Sequence, residues 1–336
     1  MIRKEGSVRV DLFGGTIDLS PINLVIPNVV TLNFATSLKA KVSLELIDFE
    51  GIEFVSTDYD ITVRFNSFEF SRKNIASDYF GNFKFFVHLL DYFKIQSGLR
   101  ITMSSGSPPG AGLGGSSAMG VVFFSAICEY KKIDLERDEI IRIVNNMEGM
   151  MLDSGPAGYQ DYYPALYGGV LALVPGADKV QVHQLYSKEL RKFIEENITL
   201  VYSGENRFSG INNWEVYKAF FDKNELVRNG LFTIAELSYK AYQSILTGDL
   251  TALPELISKE GEERNKLFPG IMTAKMTKFY DSLKGSVEKV GIKVCGAGGG
   301  GCFILIHQKD DLKVIEEQLE KFEMKKLSFK IEEPIN

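Results

Sequence analysis

A chain of 336 residues with 45% apolar and 24% charged side chains is composed like a soluble globular protein with a sizeable core, long enough for about two domains or one elaborate one. A formal net charge of −6 without a basic cluster argues against nucleic acid as a partner, and no apolar run reaches the roughly 18 residues of a membrane span. Cys128, Cys295 and Cys302 are too few and too scattered for a disulfide framework or a zinc site, and His88, His183 and His307 lie too far apart for a His-based triad or metal site.

In chain order, charged Arg3, Lys4 and Glu5 lead straight into a strand pattern, so no signal segment and a cytoplasmic location are expected. The spacing of β-branched and apolar residues predicts strands over 7–13, 29–36, 40–49, 59–68 and 99–104, interrupted by an aromatic-rich helix over 82–96. Helices are predicted over 118–132 and 136–152, followed by a Gly-Pro-Gly stretch at 155–158 and a strand over 169–174. The second half reads as a strand over 198–202, helices over 213–221, 231–245, 250–265 and 273–284, and strands over 292–295 and 302–307. A helix over 312–322 and a strand over 326–331 complete it. Strands and helices are grouped instead of alternating, which is α+β order, with a boundary expected between 175 and 195.

Between the strand ending at Ser104 and the helix beginning near Ala118 runs Pro108-Pro109-Gly110-Ala111-Gly112-Leu113-Gly114-Gly115-Ser116-Ser117. Four glycines within six residues let a ligand approach the backbone, and unpaired N–H groups at the helix start converge there with the positive end of the helix dipole. Such a loop cradles polyphosphate, and Ser116 or Ser117 could add a hydroxyl ligand to Mg²⁺. No Lys follows the glycines, so it is not a Walker A loop, and the glycine spacing fits a dinucleotide fingerprint poorly.

Three further segments stand out. Arg9 and Asp11 alternate with Val8, Val10 and Leu12, which predicts both charges on one face of the strand, ahead of Gly14, Gly15, Thr16 and Asp18. Asp161 sits among Tyr159, Tyr162 and Tyr163, a setting suited either to a partly desolvated proton acceptor or to a carboxylate at a helix start. Glu148 is a lone carboxylate among Ile140, Ile141, Ile143, Val144, Met147 and Met151, either exposed or recruited as a metal ligand. A second glycine run, 296–301 between Cys295 and Cys302, reads as a hairpin that either forms a structural turn or meets a ligand.

In this order the segments resemble the GHMP kinase superfamily, named for galactokinase, homoserine kinase, mevalonate kinase and phosphomevalonate kinase. The 109–118 loop resembles its second motif, Pro-x-x-x-Gly-Leu-Gly-Ser-Ser-Ala, with Gly115 where serine is commoner. The 296–301 run resembles its third motif, and 9–18 its first. Within the superfamily, Gly158-Tyr159-Gln160-Asp161, Leu267-Phe268-Pro269-Gly270-Ile271 and the glycine run resemble the D-glycero-D-manno-heptose 7-phosphate kinases. This chain has Thr16 and Ile17 where their pattern has Gly and Thr, and Tyr159 and Tyr162 where it has Lys and Gln.

The resemblance implies an α+β GHMP kinase fold, with an N-terminal domain like domain 2 of ribosomal protein S5 over 1–180 and a ferredoxin-like C-terminal α/β domain over 181–336. It implies an ATP-dependent kinase acting on a hydroxyl of a sugar or sugar phosphate. Galactokinase-like or mevalonate kinase-like specificity is the alternative, as is a non-catalytic ligand sensor on the same fold. ATP would lie along Pro109, Gly110, Ala111, Gly112, Leu113, Gly114, Gly115, Ser116 and Ser117, with Mg²⁺ between Ser116 and Glu148. Asp161 and Arg9 would be catalytic; Gly15, Thr16, Asp18, Arg207, Gly298 and Gly299 would meet the substrate, with the 298–301 loop bracing the phosphate loop. Trp214 reads as a packing residue. The expected partner is a small sugar or sugar phosphate, with no nucleic acid and no membrane; a homodimer is compatible with the chain.

Overall fold

The structure is a computed structural model that describes residues 1–151, 158–205 and 213–335. The first half builds β1 (Ile2–Phe13), α1 (Ile22–Val25), β2 (Thr31–Leu46), β3 (Gly51–Ser56), β4 (Ile61–Asn66), α2 (Arg72–Ile75), α3 (Lys84–Tyr92) and β5 (Leu99–Ser104). There follow α4 (Gly115–Lys131), α5 (Arg137–Gly149), α6 (Tyr163–Tyr167), β6 (Val170–Pro175), β7 (Val180–Gln184) and α7 (Lys188–Asn197). The remainder is β8 (Ile198–Tyr202), α8 (Asn213–Phe221), α9 (Glu225–Leu246), α10 (Leu253–Leu267), α11 (Ala274–Lys284), β9 (Gly291–Val294), β10 (Cys302–Ile306), α12 (Leu312–Lys321) and β11 (Lys325–Lys326). The fold is α+β, as expected.

One seven-stranded sheet runs β4-β3-β5-β2-β6-β7, with β1 paired to β2. Only its β3–β5 pair is parallel. The second sheet, β11-β8-β10-β9, is antiparallel throughout. The strands expected at 29–36 and 40–49 are one continuous strand, β2, because β1 pairs along nearly its whole length. Strands β3 and β7 and helix α7 were not foreseen. The strand expected over 326–331 is the two-residue β11 followed by an isolated bridge from Ile331 to Thr36.

Two apolar cores hold these layers together, and each draws on both halves of the chain. The first packs α4 and α5 on the large sheet through Val121, Phe123, Phe124 and Val144, and also takes in Leu200 and Ile304. In the second, Phe279, Phe303 and Ile315 pack with Ile17, Leu19 and Ile22. Burial of this kind, at about 25 cal/mol per Å² of apolar surface, fixes the cleft between the two sheets. No helix among the described residues is long and apolar enough to cross a membrane.

Candidate active site

The cleft, about 570 Å³, opens where β1, the glycine loop, the start of α4 and helix α10 meet. Its wall includes every residue of 109–117 together with Arg9, Gly15, Thr16, Asp18, Glu148 and Asp161, so residues far apart in sequence share one site. Arg207 lies outside the described residues. None of the three histidines lines the cleft, and all three cysteines are buried and unpaired by disulfides.

The local chain path explains the glycines. Gly112 and Gly114 hold φ of +74° and +69°. A Cβ on Gly112 would stand 2.8 Å from the Cys295 carbonyl oxygen, and one on Gly114 would stand 3.3 Å from Asp161 and 3.4 Å from Arg9. Only glycine suits both the conformation and the space. Helix α4 starts at Gly115, so the N–H groups of its first turn have no intrahelical acceptor and line the cleft.

Arg9 reaches the cleft because the β1–β2 register shifts on either side of it, between Ser7 and Arg9 and between Asp11 and Phe13. Bulges of this kind re-aim side chains. Arg9 and Asp11 are therefore buried in the cleft floor instead of forming a solvated strand face. Arg9 donates through Nε at 2.9 Å and Nη2 at 2.7 Å to Asp161 Oδ1, and through Nη1 at 2.5 Å to the Gly112 carbonyl. The guanidinium is 3% exposed and the Asp161 side chain 24%.

At the other end of the loop, Glu148 Oε2 accepts the Ser117 hydroxyl at 2.7 Å and the Tyr162 hydroxyl at 2.6 Å. Burial pushes the Glu148 carboxyl up, partly offset by hydrogen bonds from Tyr162, Ser117 and Ser116. The carboxylate expected beside Ser116 is thus held chiefly by Ser117, because the residue one place deeper in α4 faces α5. Tyr162 was not foreseen in this role.

Asp18 is buried: its Oδ1 accepts the Thr16 N–H at 3.1 Å and its Oδ2 the Gln160 N–H at 3.2 Å. Burial first, and then the nearby Asp161 charge, raise its carboxyl to about 7. Thr16 adopts φ +82°, a conformation that a β-branched residue tolerates poorly.

The glycine hairpin braces the loop through Gly301, within the expected 298–301 segment, and also through Gly296 and Cys302 outside it. A Cβ on Gly296 would stand 2.9 Å from Gly112 Cα, one on Gly301 would stand 2.6 Å from the Gly110 carbonyl oxygen, and the Cys302 N–H donates to Ala111 O at 2.8 Å. Gly298 and Gly299 turn away to Ile271, the latter donating its N–H to the Ile271 carbonyl at 3.0 Å, and neither lines the cleft. Trp214 is 63% exposed, its ring against Tyr217, which corrects the expectation of a packing residue.

Beneath Gly15 lies a cluster that sequence reasoning missed. Lys293 on β9 bonds Asp11 Oδ2 at 2.7 Å and lies 3.5 Å from Glu260 Oε2, while Glu260 Oε1 accepts the Gly14 N–H at 3.1 Å. Arg264, one turn after Glu260 on α10, donates Nη2 to the Gly296 carbonyl. The signal was a lysine inside the apolar run Ile292-Lys293-Val294, and Glu260 and Arg264 at i,i+4.

Comparison with known proteins agrees with this geometry. Residues 82–169 match the sequence model of the GHMP kinases N terminal domain and residues 241–325 that of the GHMP kinases C terminal domain, together just over half of the chain. A mevalonate kinase of Saccharolobus solfataricus is 26% identical over 285 residues, covering 82% of each chain. A bifunctional fucokinase/GDP-fucose pyrophosphorylase of Arabidopsis thaliana is 25% identical over 67% of this chain, which spans only 21% of that protein. The crystal structure of a D-glycero-D-manno-heptose 1-phosphate kinase from Bacteroides thetaiotaomicron superposes with a TM-score of 0.75 at 19% identity, over 99% of this chain and 97% of that one.

Proposed function

This chain belongs to the GHMP kinase family, and from that premise we propose that it is an ATP- and Mg²⁺-dependent kinase of a sugar or sugar-phosphate hydroxyl. The observation that carries the reading is the Arg9–Asp161 ion pair at the foot of the glycine loop, which joins a proton acceptor and a cation at the point where the loop meets α4.

The donor set fits the group. The loop amides and the first turn of α4 suit the phosphates of ATP. Among the described residues no group of three or more His, Cys, Asp or Glu could hold a metal, so Glu148 with Ser117 and Ser116 is the candidate anchor. One carboxylate plus substrate phosphates is the way Mg²⁺ is commonly held. Mg-ATP supplies the transferable phosphoryl group and neutralises part of its charge.

The chain's own residues do the remaining work. Transfer runs through a loose transition state, so the protein contributes mainly position and charge stabilisation. Arg9 fixes the Asp161 carboxylate by gripping one oxygen, and its positive charge stabilises the phosphoryl group in transit. Asp161 orients the acceptor hydroxyl and takes its proton. Asp18, with Gly15 and Thr16 beside it, holds a second acceptor hydroxyl.

A sugar acceptor of the heptose phosphate type is favoured by the motif resemblance and by the fucokinase and heptose 1-phosphate kinase likenesses; the mevalonate kinase relative supports mevalonate as the second reading. The test is ADP release from Mg-ATP with heptose phosphates, hexoses, hexose phosphates, uronic acids, mevalonate and homoserine. Turnover on a sugar or sugar phosphate is expected. Turnover on mevalonate alone would select the second reading, and nucleotide binding without turnover on any acceptor would contradict the first.

A further inference from the structure

Arg264 is a buried cation whose guanidinium is only partly hydrogen-bonded, with the Asp11 and Glu260 carboxylates near it but outside ion-pair distance. It is 2% exposed, yet it makes no ion pair among the described residues, and its Nε and Nη1 atoms are buried without any hydrogen-bond partner. Its single bond runs from Nη2 to the Gly296 carbonyl. The neighbouring carboxylates are already engaged: Lys293 lies against both Asp11 and Glu260, and Glu260 also accepts the Gly14 N–H.

Isolated buried charges are costly, and proteins normally pair them. Lys293 follows that rule by direct contact with Asp11, whereas Arg264 meets Asp11 and Glu260 only at longer range and leaves two nitrogens without an acceptor. Arg264 also lines the cleft, and its Nη1 would lie 2.6 Å from a Cβ placed on Gly15, so it sits directly under the turn that carries Thr16 and Asp18. The glycine loop has its own guanidinium in Arg9, already committed to Asp161 and the Gly112 carbonyl. The unsatisfied N–H groups of Arg264 therefore lie at the Asp18 end of the cleft.

We infer that Arg264 is a specificity-determining residue that binds an anionic group, phosphate or carboxylate, carried by the acceptor. This rests on the kinase reading and narrows its substrate class from sugars in general to anionic ones. Asp11, Glu260, Lys293 and Arg264 already carry two negative and two positive charges, so what the bound anion would add is an acceptor for the Arg264 N–H groups that otherwise have no partner. A charge-assisted bond at such a site changes affinity by about 10- to 100-fold.

The experiment uses the full chain saturated with Mg²⁺ and a non-hydrolysable ATP analogue, then titrated calorimetrically with a hexose, its 6-phosphate and the corresponding uronic acid. Wild type is expected to bind one of the anionic sugars at least about tenfold more tightly than the neutral one, and which one identifies phosphate or carboxylate. Arg264→Gln, which keeps an N–H donor for the Gly296 carbonyl, is expected to abolish that preference with nucleotide affinity unchanged, and Arg264→Lys to restore part of it. Equal affinity for neutral and anionic sugars in wild type, a preference surviving in Arg264→Gln, or a loss confined to nucleotide binding would each overturn the inference. If wild type fails to bind the nucleotide analogue, the kinase reading falls, and the same comparison on unloaded protein still decides the role of Arg264.

Discussion

Arg9 grips Asp161 with two nitrogens on a single oxygen, Oδ1, at 2.9 and 2.7 Å, so no described residue engages Oδ2. The same guanidinium holds the Gly112 carbonyl, and the Arg9 backbone N–H donates to Leu113 O at 3.0 Å. One residue of β1 thereby fixes both the carboxylate and the glycine loop. On the proposed function, Oδ2 is the oxygen that meets the acceptor proton.

Glu148→Gln tests the metal anchor. The carboxylate is buried and pushed up in pKa, so removing its charge is expected to leave the melting temperature unchanged or higher. Mg²⁺-dependent nucleotide binding should shift to at least about tenfold higher metal concentration, an effect equal to the loss of one charged ligand. An unchanged Mg²⁺ requirement would remove Glu148 from the metal site.

Asp18 gives the fold a pH signature. Its carboxyl is raised in the folded chain to about 7 from an ordinary value of 3.8. Between these values the unfolded chain ionises and the folded chain stays protonated, so this group lowers stability as pH rises from about 4 to about 7 and adds nothing further above that. The stability of Asp18→Asn relative to wild type should therefore improve across that interval and then level off, by up to a few kcal/mol. Denaturant melts at stepped pH read this directly, and a flat difference would contradict it.

Thr16→Gly should stabilise the chain. A β-branched residue at φ +82° stores backbone strain that glycine relieves, against a smaller loss from the freer unfolded chain. The expected gain is about 1 kcal/mol, measured by urea unfolding. A loss of stability would mean that the Thr16 side chain makes a compensating contact.

The glycine loop and its strand-to-helix setting were legible in the sequence because a change of period and a run of glycines are local signals. The same is true of Arg9 and Asp11, which stand out in an apolar strand, although their burial depends on β-bulges that no single-strand pattern announces. The cluster beneath Gly15 was not legible, since Asp11 and Lys293 are 282 residues apart and neither predicts the other. Glu260 and Arg264 read as a solvated helix pair until α10 packs against β9 and β1. Choosing between Ser116 and Ser117 likewise required knowing which face of α4 meets α5. Strand β2 appeared as two strands because Ser37-Leu38-Lys39 resembles a turn until its partner β1 is present.

The most direct test of the site is single-turnover phosphoryl transfer by Asp161→Asn with Mg-ATP and the acceptor that wild type turns over. Loss of a positioned proton acceptor typically costs about 10²- to 10⁴-fold in rate. A fall in that range, with nucleotide affinity preserved, is the expected result. A purified, folded Asp161→Asn chain that transfers phosphate at the wild-type rate would contradict the account.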